Sequence, residues 1–200
     1  MSVKPRFETV KSFADVPMTN SVETQSFLEA SDGLAELFGL FSSVVFGFIQ
    51  LELRINIHGV RKRYEARKDK SGTLEALVAS EFQEEGPPRR ATRCLIRLTR
   101  GLSLTCKALQ DMRSDSSAQP RVCFKRSYDE VLRPHHSFFI RSIVSVAIRA
   151  APHRRDFFER LAEGASTEKL DKELAKWLAG LDVIVRQITE FLEKGGYGRV

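Results

Sequence analysis

Two hundred residues are enough for one domain with a sizeable core, and 42% hydrophobic against 29% charged residues excludes a chain disordered throughout. A formal charge of +6, from 32 Lys and Arg against 26 Asp and Glu, favours anionic partners: nucleic acid, an acidic membrane surface or a phosphorylated ligand. No run reaches the roughly 20 apolar residues of a membrane-spanning helix; the longest, 42–53 and 140–148, are shorter and carry or abut charges.

The first 20 residues, with Pro5 and Pro17, read as an irregular N-terminal arm holding at most a short turn of helix, and residues 21–200 as a single domain. Over 22–41 the apolar residues Phe27, Leu28, Leu34, Leu37 and Phe38 recur at helical spacing, with Glu23 and Glu29 near the start, where a carboxylate suits the helix dipole. A second helix is predicted over 43–68, ending in the charged run 61–67 before the turn Asp69-Lys70-Ser71-Gly72. A short helix follows over 73–82. Gly86-Pro87-Pro88 breaks the pattern, and proline suits the opening of the next helix, predicted over 89–112. After the polar loop 114–120 come a helix around 122–132 that Pro134 stops, one over 135–150 that Pro152 ends, one over 154–162, and one over 167–193 seamed by Trp177, Leu181, Ile184, Ile188 and Phe191. No period-2 strand, internal repeat or low-complexity tract intervenes. The expected fold class is all-α, about eight helices in one domain.

Fourteen Phe against three Tyr and one Trp suit an oily interior, although such rings are commonly plain core. Cys94, Cys106 and Cys123 are odd in number and lack metal-ligand spacing, which reads as reduced thiols in a cytoplasmic protein with no metal site.

Three helix faces carry polar residues where oil is expected. At about 100° per residue, Val45, Phe48, Ile49, Glu52, Ile55 and Asn56 share one face of the second helix. A carboxylate and an amide inside an apolar stripe are costly unless paired, or else the helix is turned so that Glu52 reaches water. After Pro88, Arg93, Arg97 and Arg100 fall in one narrow arc that continues into Leu104 and Ala108. Stacked guanidiniums repel, so the arc is either an exposed basic face or a site for an anion such as phosphate, whose oxygens match the Arg fork. His136 shares a face with Ile140, Ile143, Val144 and Ala147, as a satisfied core histidine or as a ligand contact, while its neighbour His135 is off the stripe and expected in solvent. A polar entrance leading into an oily interior describes an amphiphile-binding site, without naming the ligand.

The segment Glu52-Leu-Arg-Ile-Asn56-Ile is similar to the Asp-x-x-x-Asn-Ile of the glycolipid-transfer family. Leu98-Thr-Arg100-Gly101-Leu102 resembles that family's Leu-x-Arg-Gly-Leu, and Tyr128 through His135-His136-Ser137-Phe138 to Ala151-Pro152 resembles its run Tyr…His-Gly-Trp…Ala-Pro. The ending Tyr197-Gly-Arg-Val200 is similar to the family's short C-terminal tail, so the resemblance spans residues 13–200. It implies a two-layer helical sandwich that carries one sphingolipid between membranes and does no chemistry on it. Glycolipid binders place Trp just before Leu-x-Arg-Gly-Leu, as a platform for the sugar. Arg97 stands there in this chain, one turn after Arg93, and that pair resembles the ceramide-1-phosphate binders, including the plant accelerated-cell-death protein.

The resemblance then implies a headgroup site of Glu52, Asn56, Arg93, Arg97, Arg100 and His136, with the arginines on the phosphate, Glu52 on the sphingoid amide and hydroxyl, and His136 on the ceramide carbonyl. It implies a hydrophobic pocket of Phe46, Phe48, Ile49, Ile55, Leu104, Ala108, Ile140, Ile143 and Val144, and membrane contact through Phe138 and Tyr197. Two positions depart from the pattern: Glu52 replaces the family Asp, and Asn56 stands where phosphate binders carry Lys. The partners expected are a sphingolipid, ceramide-1-phosphate foremost, and a transient membrane surface, with no cofactor, no nucleic acid and no required oligomer. A carrier of sulfated or neutral glycosphingolipids is the alternative within the class. Outside it stand a nucleic-acid binder, for which no motif is present, and an enzyme, for which only Glu52 and His136 could form an acid–base pair.

Overall fold

The computed structural model describes residues 4–41, 44–84, 86 and 88–200, with the side chains of Val44, Val45 and Phe48 left out. Pro87 and the side chains of Val45 and Phe48, used in the reading above, therefore lie outside the described residues. The helices in chain order are α1 (Arg6–Thr9), α2 (Thr24–Phe38), α3 (Val44–Ala66), α4 (Leu74–Glu84), α5 (Arg90–Ser114), α6 (Pro120–Val131), α7 (Phe138–Arg149), α8 (Arg154–Ala162) and α9 (Thr167–Lys194). Among the described residues there is no strand, only the isolated bridges Met18–Val22 and Glu23–Thr73. The fold is the all-helical sandwich expected, with the four-residue α1 added.

The caps explain most of the boundaries. Glu23 accepts from the backbone N–H groups of Gln25 and Ser26 and starts α2, and Ser166 accepts from Lys169 N to start α9. Pro120 opens α6 where proline needs no hydrogen-bond partner. The helix expected over 135–150 starts later, at Phe138. Pro134 sits in a 3-10 turn, Arg133–His135, and the Ser137 hydroxyl caps the new start by accepting from Ile140 N.

The α5 helix is held in common by the rest, packing against α3, α4, α6 and α9. Leu95, Leu98 and Leu102 on its inner face are fully buried, as are Leu181 and Ile184. Glu75 ties three elements together by accepting from Val22 N at 3.0 Å and from Gln187 Nε2 at 2.9 Å. At the far end of α3, Lys70 and then Arg63 hydrogen-bond the Glu84 carboxyl and hold it far below its usual range, at about 2.

The expected arm is only partly an arm. Phe13 is 1% exposed, with its ring edge-on to Trp177 at 5.2 Å, so the chain joins the core well before residue 21. Gly180 makes this possible, because a Cβ there would lie 2.4 Å from the backbone nitrogen of Ala14.

Candidate functional site

The α3 and α5 helices run antiparallel, with Gly59 meeting Cys94 and Leu53 meeting Gly101. That register sets Glu52 and Asn56 level with Arg97 and Arg100, and Phe46 and Ile49 level with Leu104 and Thr105. Between these helices, α6 and α7 lies a cavity of about 460 Å³ whose wall includes all eight. Its α7 side adds His136, Ile140 and Val144. One end is thus polar and the other oily, as an amphiphile requires.

At the polar end, Glu52 and Arg97 are exposed at the mouth, and neither side chain has an ion pair or hydrogen bond among the described residues. Glu52 therefore both reaches water and faces the cavity. Asn56 is 5% exposed and donates from Nδ2 to the Glu52 carbonyl at 2.9 Å. Arg100 is half-buried, and burial and then the neighbouring Arg97 charge push its pKa down. Its Nη2 donates to the Arg199 carbonyl at 2.6 Å, while its Nε is buried without a partner. A desolvated cation beside a second cation favours an incoming anion.

His136 is half-buried with Nδ1 3.3 Å from the Tyr128 hydroxyl. Burial is the main force pushing its pKa down, with His135, Arg100 and Arg141 adding repulsion; burial also raises the Tyr128 phenol. Both are neutral near pH 7. In the tautomer in which the phenol donates to Nδ1, Nε2 carries the ring proton and can donate. An NMR titration is expected to give His136 a midpoint below the ordinary value of about 6.5. Because the neutral ring is the form favoured in the fold, its stabilising contribution is present above the unfolded pKa and is lost as pH falls through the lower folded value. A midpoint at or above that of a free histidine would contradict the burial argument.

Several sequence expectations need correction. Arg93 is exposed and does not line the cavity. It lies one turn beyond the mouth, where the close contact of Gly59 with Cys94 has already closed the seam between α3 and α5. Ile55 is 52% exposed, because α3 turns Phe46, Leu53 and Asn56 inward and Ile55 lies roughly 120° around the helix from that face. Ala108 is 0% exposed, sealed in the core a turn beyond Leu104, and Ile143 sits on the flank of α7 outside the cavity. Tyr197 is half-buried, stacked on Phe191 at 5.1 Å and edge-on to Phe82 at 4.7 Å, so packing occupies the ring assigned to membrane contact. His135 is exposed, as expected, and also lines the cavity, as do Phe38, Phe124, Tyr128 and Leu132. Of these, Tyr128 and His135 carried a sequence signal, through the family motif. Phe138 is 85% exposed, and Phe139, which the sequence reading passed over, is 71% exposed.

The bare Gly59 is what lets α3 approach α5, since a Cβ there would lie 2.3 Å from Cys94 Sγ. Gly59→Ala is expected to destabilise the fold by about 1–3 kcal/mol, the usual cost of overpacking, and Cys94→Ala in the same chain to recover much of it. Thermal denaturation of the two single variants and the double variant tests this, with additive losses counting against the contact. Burial raises all three thiols, Cys106 to about 12, which leaves little thiolate for nucleophilic work. No described helix is long and apolar enough to cross a membrane.

Comparison with known proteins agrees with this fold. The family model described as glycolipid transfer protein matches residues 22–163. A glycolipid transfer protein of Aureobasidium melanogenum is 36% identical over 188 residues, covering 93% of this chain and 92% of its own length. The crystal structure of HET-C2, a fungal glycolipid transfer protein, superposes with a TM-score of 0.88 at 35% identity, covering 94% of this chain and 96% of that one. Human ceramide-1-phosphate transfer protein bound to ceramide-1-phosphate gives a TM-score of 0.85 over 97% of this chain and 98% of that one, and at 18% identity shares the fold.

Proposed function

The chain belongs to the glycolipid transfer protein family, and on that premise we propose that it carries a sphingolipid with a phosphate headgroup, ceramide-1-phosphate, between membranes. The observation that carries this reading is Arg97: an exposed guanidinium with no ion pair or hydrogen bond among the described residues, at the polar mouth of a cavity whose far end is oily, with the desolvated Arg100 one turn further in. Their donors suit phosphate oxygens. In this reading Glu52 accepts from the ceramide amide N–H and hydroxyl, His136 donates from Nε2 to the ceramide carbonyl, and Asn56 backs the headgroup. The Glu52 side chain is exposed, with no ion pair or hydrogen bond among the described residues, which leaves it room to take up the methylene it adds over Asp. Phe46, Ile49, Leu104, Ile140 and Val144 cover the hydrocarbon, and Arg93 contributes charge outside the mouth.

Phe138 and Phe139 dip into the bilayer surface during a transient visit, and the carrier returns to the aqueous phase of the cytoplasm with one lipid. Chains leave one apolar medium for another, so the polar end does the selecting. The domain over 21–200 carries these parts without catalysis, cofactor or oligomer. A second reading, transfer of a neutral or sulfated glycosphingolipid, is favoured by the identity to glycolipid transfer proteins and by Asn56 in place of a cation. Vesicle-to-vesicle transfer of ceramide-1-phosphate, galactosylceramide and sulfatide with matched chains tests both. Faster transfer of the phosphate lipid is expected; a preference for galactosylceramide overturns the first reading in favour of the second.

A further inference from the structure

His135 is exposed in the cavity wall, and its ring makes no hydrogen bond or ion pair among the described residues. Its backbone, by contrast, is firmly held. It ends the 3-10 turn Arg133–His135, in which Pro134 fixes φ. Its N–H donates to the Leu132 carbonyl at 3.0 Å, and Arg141 Nε of α7 donates to the Arg133 carbonyl at 3.1 Å. A rigid turn that presents an unbonded ring to a cavity is pre-organised for a contact from outside the chain.

The ionisable groups that share the cavity wall with this ring come from each helix around it. They are Arg97 and Arg100 from α5, Glu52 from α3, Tyr128 from α6, and His136 beside it. Arg133 is ion-paired with Asp129 at 3.4 Å, and Arg141 is engaged by the backbone of the turn. The small burial of the His135 ring, and then the Arg100 charge, push its pKa down, so it is neutral near pH 7 in the lipid-free protein. His136 is taken by the Tyr128 hydroxyl at 3.3 Å. The wall therefore offers two guanidiniums against one carboxylate, one positive charge net. A phosphate monoester brings a charge of about −1.5 to −2 at pH 7 and three acceptor oxygens. The shortfall is up to one positive charge. His135 can supply it, because its ring is unbonded and an imidazole titrates within reach of pH 7.

We propose that His135 is a third headgroup contact, closing on the phosphate from the turn between α6 and α7, and that it takes up a proton from water as a phosphate monoester binds. The proposal rests on the phosphate reading above and deepens it. Its consequence is selectivity among anionic headgroups. A sulfate ester carries a single negative charge, which the two guanidiniums and Glu52 already balance, so it draws no proton onto His135. A sugar draws none either. His135 thus separates ceramide-1-phosphate from sulfatide, a distinction the arginines do not make by themselves, since both anions offer them oxygens.

The test uses the full chain with octanoyl ceramide-1-phosphate, sulfatide and galactosylceramide. By NMR, loading with ceramide-1-phosphate is expected to raise the His135 titration midpoint by about 1 pH unit or more, the effect of an opposite charge within about 4–6 Å. Sulfatide should raise it clearly less, and galactosylceramide not at all. A rise of one pH unit corresponds to at most about tenfold in affinity, so His135→Phe should lower the ceramide-1-phosphate-to-sulfatide transfer ratio about three- to tenfold at pH 7. His135→Lys, which carries the charge permanently, should keep the ratio at or above that of the parent, a rescue that a merely structural role would not show. Melting temperatures close to the parent's are expected for both variants, because the ring is exposed and unbonded. A midpoint raised no more by ceramide-1-phosphate than by sulfatide overturns the proposal and leaves the phosphate reading standing. So does an unchanged ratio in His135→Phe while the full chain carries ceramide-1-phosphate. A full chain that does not take up ceramide-1-phosphate overturns the phosphate reading, and this proposal with it.

Discussion

Arg97→Trp is expected to lower ceramide-1-phosphate transfer by about 10–150-fold while leaving the fold intact, and to raise transfer of galactosylceramide. Hydrogen bonds to a charged group contribute about 1.5–3 kcal/mol net, and each 1.4 kcal/mol is tenfold in an equilibrium. Arg97 is exposed and unpaired among the described residues, so its loss breaks no internal bond and a melting temperature close to that of the parent is expected. The indole adds an apolar face at the mouth on which a sugar ring can stack, which accounts for the opposite sign with the glycolipid. Arg93→Trp provides the contrast. Because Arg93 is exposed outside the cavity, its replacement should cost less than Arg97→Trp at any salt concentration. Phosphate-lipid transfer indifferent to Arg97→Trp would remove the central support of the proposed function.

Glu81→Ala is expected to have the largest effect on stability. The α5 helix starts without a cap of its own, since Arg89 before it has a left-handed φ of 43° and makes no side-chain cap bond. Its guanidinium is instead engaged over the Phe82 ring, 3.6 Å from the centroid. The cap comes from another helix: Glu81 on α4, 1% exposed, accepts from Ala91 N at 2.9 Å, Thr92 N at 2.8 Å and the Thr92 hydroxyl at 2.6 Å. A carboxylate there also faces the positive end of the α5 dipole. Alanine leaves three buried donors unmet, a loss of about 3–5 kcal/mol by the known cost of breaking a buried charged network. For a chain of this length that corresponds to a fall of about 10 °C in melting temperature. Glu81→Gln keeps the shape but sets an amide donor against backbone donors, so an intermediate fall is expected. Because α5 carries Arg97 and Arg100, transfer should fail as the variant melts and stay near normal well below that point. A melting curve unchanged in Glu81→Ala would show that α5 is started by something other than this carboxylate.

The sequence alone determined the helical architecture and the polar-to-oily run along α5. Periodic Phe and Leu, and prolines at 88, 120, 134 and 152, mark helices by local physics, because a helix face and a missing N–H act within a turn or two of the residue concerned. It also showed that Glu52, Asn56, Arg97, Arg100 and His136 are out of place on apolar stripes, and the cavity gathers all five.

Only the tertiary structure decided which stripe residues face the cavity. A stripe gives a direction around one helix, whereas a cavity needs the rotation and register of several. The Gly59–Cys94 contact fixes the level at which α3 meets α5, and so keeps Arg97 at the mouth and leaves Arg93 outside it. The rotation of α3 turns Ile55 to water, and the Phe82–Tyr197–Phe191 cluster takes the ring that a tail motif had assigned to membranes. Phe38 and Phe124 gave no sign of their role, because a buried ring on an amphipathic helix looks the same whether it faces solid core or lines a cavity.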